Sequence, residues 1–264
     1  MATVTSADGT TIAYETVGSG PALIVVDGAM CYRGNGPARD LAEALSDEYT
    51  VFIYDRRGRG ASGDTAPWSA DREIEDLAAL IEAAGGTAHL VGCSSGAVLA
   101  ADAANRLDGV GRLALYEPPF IVDDTHPARP DTYVPRTEAL IAAGDNGGAV
   151  KMFLRHVGVP GVVVWIMSLT PVFGKLKAVA PTLPYDLRIL GDTGRGLPLD
   201  AARWSQVRAP AIVMDGGKSP RYMRNAAKAL SEALPKSEYR TLPGQTHIVK
   251  AQVVAPAVKE FLRG

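Results

Sequence analysis

Cysteine is nearly absent from this chain of 264 residues: only Cys31 and Cys93 occur. Two thiols make no disulfide framework, so reduced cysteines in a cytoplasmic setting are expected. Long apolar runs are missing too. The longest candidate, 157–169, is short and carries Pro160 and Gly161, so neither a membrane span nor a membrane partner is expected. The first residues show no basic stretch followed by an apolar one, so a secretory signal of the usual form is not expected. Basic tracts are lacking as well. Lys and Arg number 27 against 29 Asp and Glu, a net charge of −2, which argues against nucleic acid as a partner. Internal repeats and low-complexity segments are not found.

What is present is a chain 47% hydrophobic, enough for one α/β domain with a substantial core. Residues 2–6 and 10–17, joined by Ala7-Asp8-Gly9, read as a hairpin. Apolar runs at 22–26, 50–54, 88–91, 110–116 and 211–214, with 238–242, read as strands. Helical spacing is clearest at 71–84, where Ile74, Leu77, Ala78 and Ile81 recur three and four apart and Gly85-Gly86 stops the pattern. Further helices are expected at 37–45, from 95 onward, at 222–234 and near 253–262. Strands alternating with helices imply a mostly parallel, twisted sheet covered on both faces. Residues 120–200 break that alternation with proline, glycine and large apolar groups. They read as an inserted cap, leaving 1–119 and 201–264 as the core.

The stretch Gly92-Cys93-Ser94-Ser95-Gly96 fits G-x-S-x-G between an apolar strand and an alanine-rich helix. A turn this sharp strains its central residue and raises the Ser94 hydroxyl at the end of the strand. The flanking glycines remove side chains that would clash, and the helix N-terminus favours negative charge there. Ser94 is therefore the candidate nucleophile. Cys93 reads as packing within the turn.

With two further motifs the chain resembles the α/β-hydrolase fold superfamily over nearly its full length. Asp55-Arg56-Arg57-Gly58-Arg59-Gly60-Ala61-Ser62 is similar to that superfamily's D-x-R-G-x-G-x-S loop. Pro243-Gly244-Gln245-Thr246-His247 is similar to the late loop that delivers a histidine. The wider resemblance is to small actinobacterial-type serine hydrolases with a D-R-R-G-R-G loop and a Y-E-P-P segment, here Tyr116-Glu117-Pro118-Pro119. It implies the α/β-hydrolase fold and a triad in the order serine, acid, histidine, which makes His247 the base. His89 reads as a packed strand residue, and His126 and His156 as cap residues on the surface or in the pocket. The resemblance places the acid a few residues beyond the strand 211–214, but Ser219 stands at that position. Two acids stay open. Glu117 closes the preceding strand and has an extra methylene to reach the imidazole. Asp215 is the alternative.

The resemblance also implies an oxyanion hole from the backbone N–H of Ser95 and that of Ala29, with Gly28 allowing close approach. Where many relatives have His-Gly, this chain has Asp27-Gly28. Asp27 is expected to turn away from the nucleophile toward Arg56 or Arg57, and the arginines of that loop to form a structural ion-pair turn.

These readings converge on a serine hydrolase acting through an acyl-enzyme on a small to medium apolar ester, thioester or lactone, with no metal or organic cofactor. An epoxide hydrolase or dehalogenase of this fold would need aspartate at position 94. The alternatives are a non-hydrolytic enzyme on the same scaffold (cyclase, lyase or acyltransferase, including natural-product metabolism) and a non-catalytic ligand-binding protein. A small-molecule substrate is the expected partner, and a homodimer is left open.

Overall fold

The computed structural model describes residues 1–264. Eight strands form one sheet: β1 (Ala2–Thr5), β2 (Thr11–Val17), β3 (Ala22–Val26), β4 (Thr50–Tyr54), β5 (Ala88–Cys93), β6 (Val110–Tyr116), β7 (Ala211–Gly216) and β8 (Ser237–Leu242), in the order β1-β2-β4-β3-β5-β6-β7-β8. β1 and β2 form the hairpin expected from Asp8-Gly9, and β2 runs antiparallel to β4. The remaining pairs are parallel. β3 and β5, at the centre, carry almost no polar side chain because helices cover both of their faces. β8, at the edge, is Ser-Glu-Tyr-Arg-Thr-Leu and largely open to solvent.

Three helices lie against one face: α2 (Ala70–Ala83), α3 (Ser95–Ala104) and α9 (Arg221–Ala233). α1 (Ala38–Leu45) and α10 (Ala251–Arg263) cover the other. Ser69 caps α2 by accepting from the Arg72 N–H. α3 is buried on nearly every side, and its alanines let it sit close against the central strands.

Strand order reverses where β3 and β5 become neighbours. A crevice opens at the C-terminal ends of parallel strands at such a switch point. The loops after β3 and β5 both open there. Residues 120–200 contain no strand. They form α4 (Tyr133–Ala142), α5 (Asn146–His156), α6 (Gly161–Met167), α7 (Pro171–Val179) and α8 (Leu183–Leu190). This segment has a small core of its own, which includes Ala149, Val150, Phe173 and Leu183 and is joined by Met30 from the loop after β3. No single helix in the chain is long and apolar enough to cross a membrane.

Candidate active site

Only three non-glycine residues have left-handed φ values: Met30 at 66°, Ser94 at 56° and Glu117 at 47°. They lie on the loops that follow β3, β5 and β6. Such backbone is strained for side chains beyond Cβ and persists where the surroundings over-determine it.

Ser94 joins β5 to α3 with ψ −126°, its N–H donating to the Tyr116 carbonyl at 2.9 Å. The two glycines of the motif are sterically required. A Cβ on Gly96 would lie 2.1 Å from the Val26 carbonyl oxygen, and one on Gly92 would lie 2.6 Å from Ala97 Cα. Cys93 is buried, and burial pushes its thiol well above the usual range, so it packs the turn.

The imidazole of His247 meets the carboxylate of Glu117, with Nδ1 to Oε2 at 2.8 Å. A carboxylate only accepts, so Nδ1 carries the proton and Nε2 keeps its lone pair. The other oxygen, Oε1, accepts the Gly216 N–H at 2.6 Å. Gly216 is itself confined, because a Cβ there would lie 2.5 Å from the Gln245 carbonyl. Tyr116 Oη donates to the Thr246 carbonyl at 2.6 Å and steadies the histidine loop. Glu117 is fully buried, while His247 is partly open.

Asp215, the other acid left open by the sequence, sits at the end of β7. It is fully buried, accepts from Tyr239 Oη, and leaves Oδ1 without a partner. The structure brings Glu117, not Asp215, to His247. Ser94 and His247 line one cavity of about 740 Å³ together with Gly28, Ala29 and Ser95. No hydrogen bond joins Ser94 Oγ to His247 in this conformation, as is common before a substrate closes such a site.

The loop after β3 is set by arginines. Arg59 Nη1 donates to the carbonyls of Gly28 at 2.7 Å and Cys31 at 3.1 Å. Within one trans peptide plane the C=O and the next N–H point opposite ways. Holding the Gly28 carbonyl therefore turns the Ala29 N–H away from Arg59, and that N–H has no acceptor in the protein. Ser95 opens α3, so its N–H has no intrahelical acceptor either. A Cβ on Gly28 would lie 2.9 Å from Ser94 Cβ, which explains the need for glycine beside the nucleophile.

The expectation that Asp27 pairs with an arginine is corrected. Arg56 Nη1 donates to the backbone carbonyl of Asp27 at 3.2 Å, not to its carboxylate. Both carboxylate oxygens are buried and unpartnered. Burial pushes this carboxyl up to about 7, opposed by Arg59 and Arg56. Asp27 is not on the wall of the cavity that holds Ser94. The side chain does turn away, as expected, but into protein next to Cys31 and Gly36.

The arginines of the loop after β4 do form ion pairs. Arg57 forks onto Asp76, with bonds of 2.8 and 2.7 Å, and reaches Asp8 at 2.9 Å. Arg56 forks onto Glu73 at 2.7 and 2.9 Å. Sequence reasoning did not find Asp186 on α8. Its Oδ1 accepts from Arg56 at 2.7 Å and from Ser95 Oγ at 2.8 Å, and its Oδ2 accepts from Arg59 at 2.6 Å. Burial opposes that charge, and Arg59 and Arg56 overcome it, holding the carboxyl below its usual range. The available signal was the run of three arginines with one aspartate nearby, which requires carboxylates from elsewhere.

His89 packs edge-on to Tyr49 in the sheet. His126 and His156 both line the cavity. No group of three or more His, Cys, Asp or Glu side chains is arranged to hold a metal ion.

A family model described as "Alpha/beta hydrolase family" matches residues 25–257. An alpha/beta hydrolase from Sphaerobacter thermophilus is 46% identical, covers 99% of this chain and 100% of its own, and superposes with a TM-score of 0.90. Two more distant structures share the fold. One is an esterase from a Rhodococcus species, at 21% identity, TM-score 0.70 and coverage of 100% and 98%. The other is an enol-lactonase from Burkholderia xenovorans, at 20% identity, TM-score 0.71 and full coverage of both chains.

Proposed function

The chain belongs to the alpha/beta hydrolase family, and from that premise we propose that it is a serine hydrolase of small to medium, mainly apolar esters, thioesters or lactones. Ser94 Oγ attacks the acyl carbonyl while His247 Nε2 takes its proton. Glu117 holds the resulting imidazolium through Nδ1–H. The N–H groups of Ser95 and Ala29 receive the developing oxyanion, a contribution of about 3 kcal/mol per donor. His247 then returns the proton to the leaving group, and the acyl chain stays on Ser94. Water, deprotonated by His247, attacks the acyl-enzyme and frees the acid.

The observation that carries this reading is the doubly anchored Glu117 carboxylate, with one oxygen on Gly216 N–H and the other on His247 Nδ1. That bond fixes the tautomer a general base needs, on the rim of the cavity that holds a strained serine. Residues 120–200 act as the cap of that cavity, contributing Phe153 and Leu187 to its wall.

The test is labelling with a fluorophosphonate together with turnover of p-nitrophenyl esters of graded acyl length. Wild type should label at Ser94 and release p-nitrophenol, and Ser94→Ala should do neither. Hydrolysis of the esters by Ser94→Ala at the wild-type rate would refute the assignment. Product analysis with a second acyl acceptor in water separates hydrolysis from acyl transfer.

A further inference from the structure

One part of the cavity wall has a chemistry that ester cleavage does not use. Arg129, in the segment between β6 and α4, lines the cavity and is half-buried. Its side chain makes one hydrogen bond, from Nη2 to the Gly191 carbonyl at 2.6 Å, and no salt bridge. Asp192 is instead engaged by Arg195 at 3.2 Å. Burial lowers the pKa of Arg129 and outweighs Asp192, which acts in the opposite direction without forming a salt bridge to it.

The neighbours of Arg129 are donors as well. His156 and His126 line the same cavity with rings 6.4 Å apart, His126 Nδ1 donates to the Pro127 carbonyl at 2.9 Å, and the Tyr222 ring lies tilted, 4.2 Å from that of His126. Burial, then Arg129, then His126 push the His156 imidazole down to about 4, so at neutral pH it is uncharged with one N–H to offer. Behind it Tyr133, 4.4 Å away, has a buried hydroxyl with no partner. Lys218, on the same cavity wall, forms no salt bridge through its ammonium group. The carboxylates on the wall do not offset these cations. Asp186 is already held by Arg56 and Arg59, and Asp40 is exposed on α1.

A guanidinium kept partly out of water without a carboxylate costs free energy that a bound anion would relieve. We propose that Arg129 anchors a carboxylate on the substrate, so that the ester, thioester or lactone cleaved at Ser94 carries an anionic arm at the far end of an otherwise apolar acyl chain. This rests on the hydrolase reading above and narrows its substrate class. The fork geometry of guanidinium suits a planar carboxylate. His156 supplies a neutral donor beside it, and Phe153 and Leu187 line the same cavity with apolar surface for the methylenes of the chain.

The test compares two ester series matched in length: mono-p-nitrophenyl succinate, glutarate and adipate against p-nitrophenyl butyrate, pentanoate and hexanoate. Wild type should favour the anionic series in kcat/KM, with one arm length best. Arg129→Gln should lower the anionic-to-neutral kcat/KM ratio by about 10- to 100-fold, chiefly through KM, as expected for loss of a hydrogen bond to a charged group. Arg129→Lys, which keeps the charge, should recover most of that ratio. A purely structural role would change both series alike, and a ratio unchanged by Arg129→Gln overturns the proposal.

A second readout does not depend on turnover. Glutarate titrated calorimetrically into Ser94→Ala should bind, and binding should be lost when Arg129→Gln is added. If wild type cleaves neither series, the hydrolase reading fails while the calorimetry still decides the anion site. Absence of glutarate, succinate and adipate binding overturns the site itself.

Discussion

Glu117 and His247, 130 residues apart in sequence, meet at 2.8 Å, and the second oxygen of the same carboxylate is fixed by the Gly216 N–H. The acid is thus tied to β7 although it is carried by the end of β6. Glu117→Gln keeps the shape but offers an amide where Nδ1–H needs an acceptor. It should lower kcat on p-nitrophenyl butyrate by about three to four powers of ten. Asp215→Asn should change kcat by less than about tenfold, because Asp215 bonds Tyr239 and not the imidazole. Comparable losses in the two variants would return the acid role to an open state.

Asp186 bridges two buried arginines, one of them also paired with Glu73, and accepts from Ser95 Oγ. Removing one partner of a buried ionic cluster leaves charge uncompensated, so Asp186→Ala should cost about 3–5 kcal/mol in urea unfolding. The same change loosens Arg59, which holds the Gly28 carbonyl. Activity should fall even where the variant is fully folded. A folded Asp186→Ala with the wild-type kcat would separate this cluster from the oxyanion loop.

Asp27 sets a pH dependence. Its carboxyl rises from the ordinary 3.8 to about 7 in the fold, with burial as the main cause. The folded state therefore binds that proton more tightly than the unfolded chain. Stability is lost as pH climbs through this window and levels off above it, a total of at most about 4 kcal/mol. Asp27→Asn removes the titration, so its stability relative to wild type should be greater at about pH 8 than at about pH 5. Equal differences at the two values, in urea melts, would show that Asp27 does not titrate in this range.

Glycine at 28 and at 96 has distinct consequences. Gly96→Ala places a methyl 2.1 Å from the Val26 carbonyl, a backbone clash that should cost more than about 3 kcal/mol and abolish soluble expression. Gly28→Ala meets Ser94 Cβ at 2.9 Å and should fold, with kcat lowered at least about tenfold as the oxyanion loop retreats. Circular dichroism paired with ester turnover separates the two outcomes.

Much of this was readable from the residues. Alternating apolar runs and helical spacing gave the strands and helices because their periodicity records burial directly. The strained turn at Ser94 and the loop that carries His247 were readable because turn chemistry and loop position are local features. Glu117 against Asp215 stayed open, since both close a buried strand and their partners, His247 for one and Tyr239 for the other, come from distant parts of the chain or from the next strand. Asp186 was hidden for a different reason: an ion pair spanning 127 residues to Arg59 leaves no local pattern. The expectation for Asp27 came from the repulsion a carboxylate would exert on an oxyanion; the side chain does turn away, but Arg56 takes the backbone oxygen of Asp27 and not its carboxylate.

The bonds from Asp186 also fasten the helices above the sheet. Withdrawing α8 would take from Arg59 its one carboxylate and from Arg56 one of two, Glu73 being the other, and both guanidinium groups are almost free of solvent, so α8 is tied to the loop after β4. A second tie is apolar: α4 through α7 share a cluster with Leu183 of α8 and with Met30 from the loop after β3. The helices of residues 120–200 are therefore joined to the sheet at two places, one ionic and one apolar, both on the loops that frame Ser94.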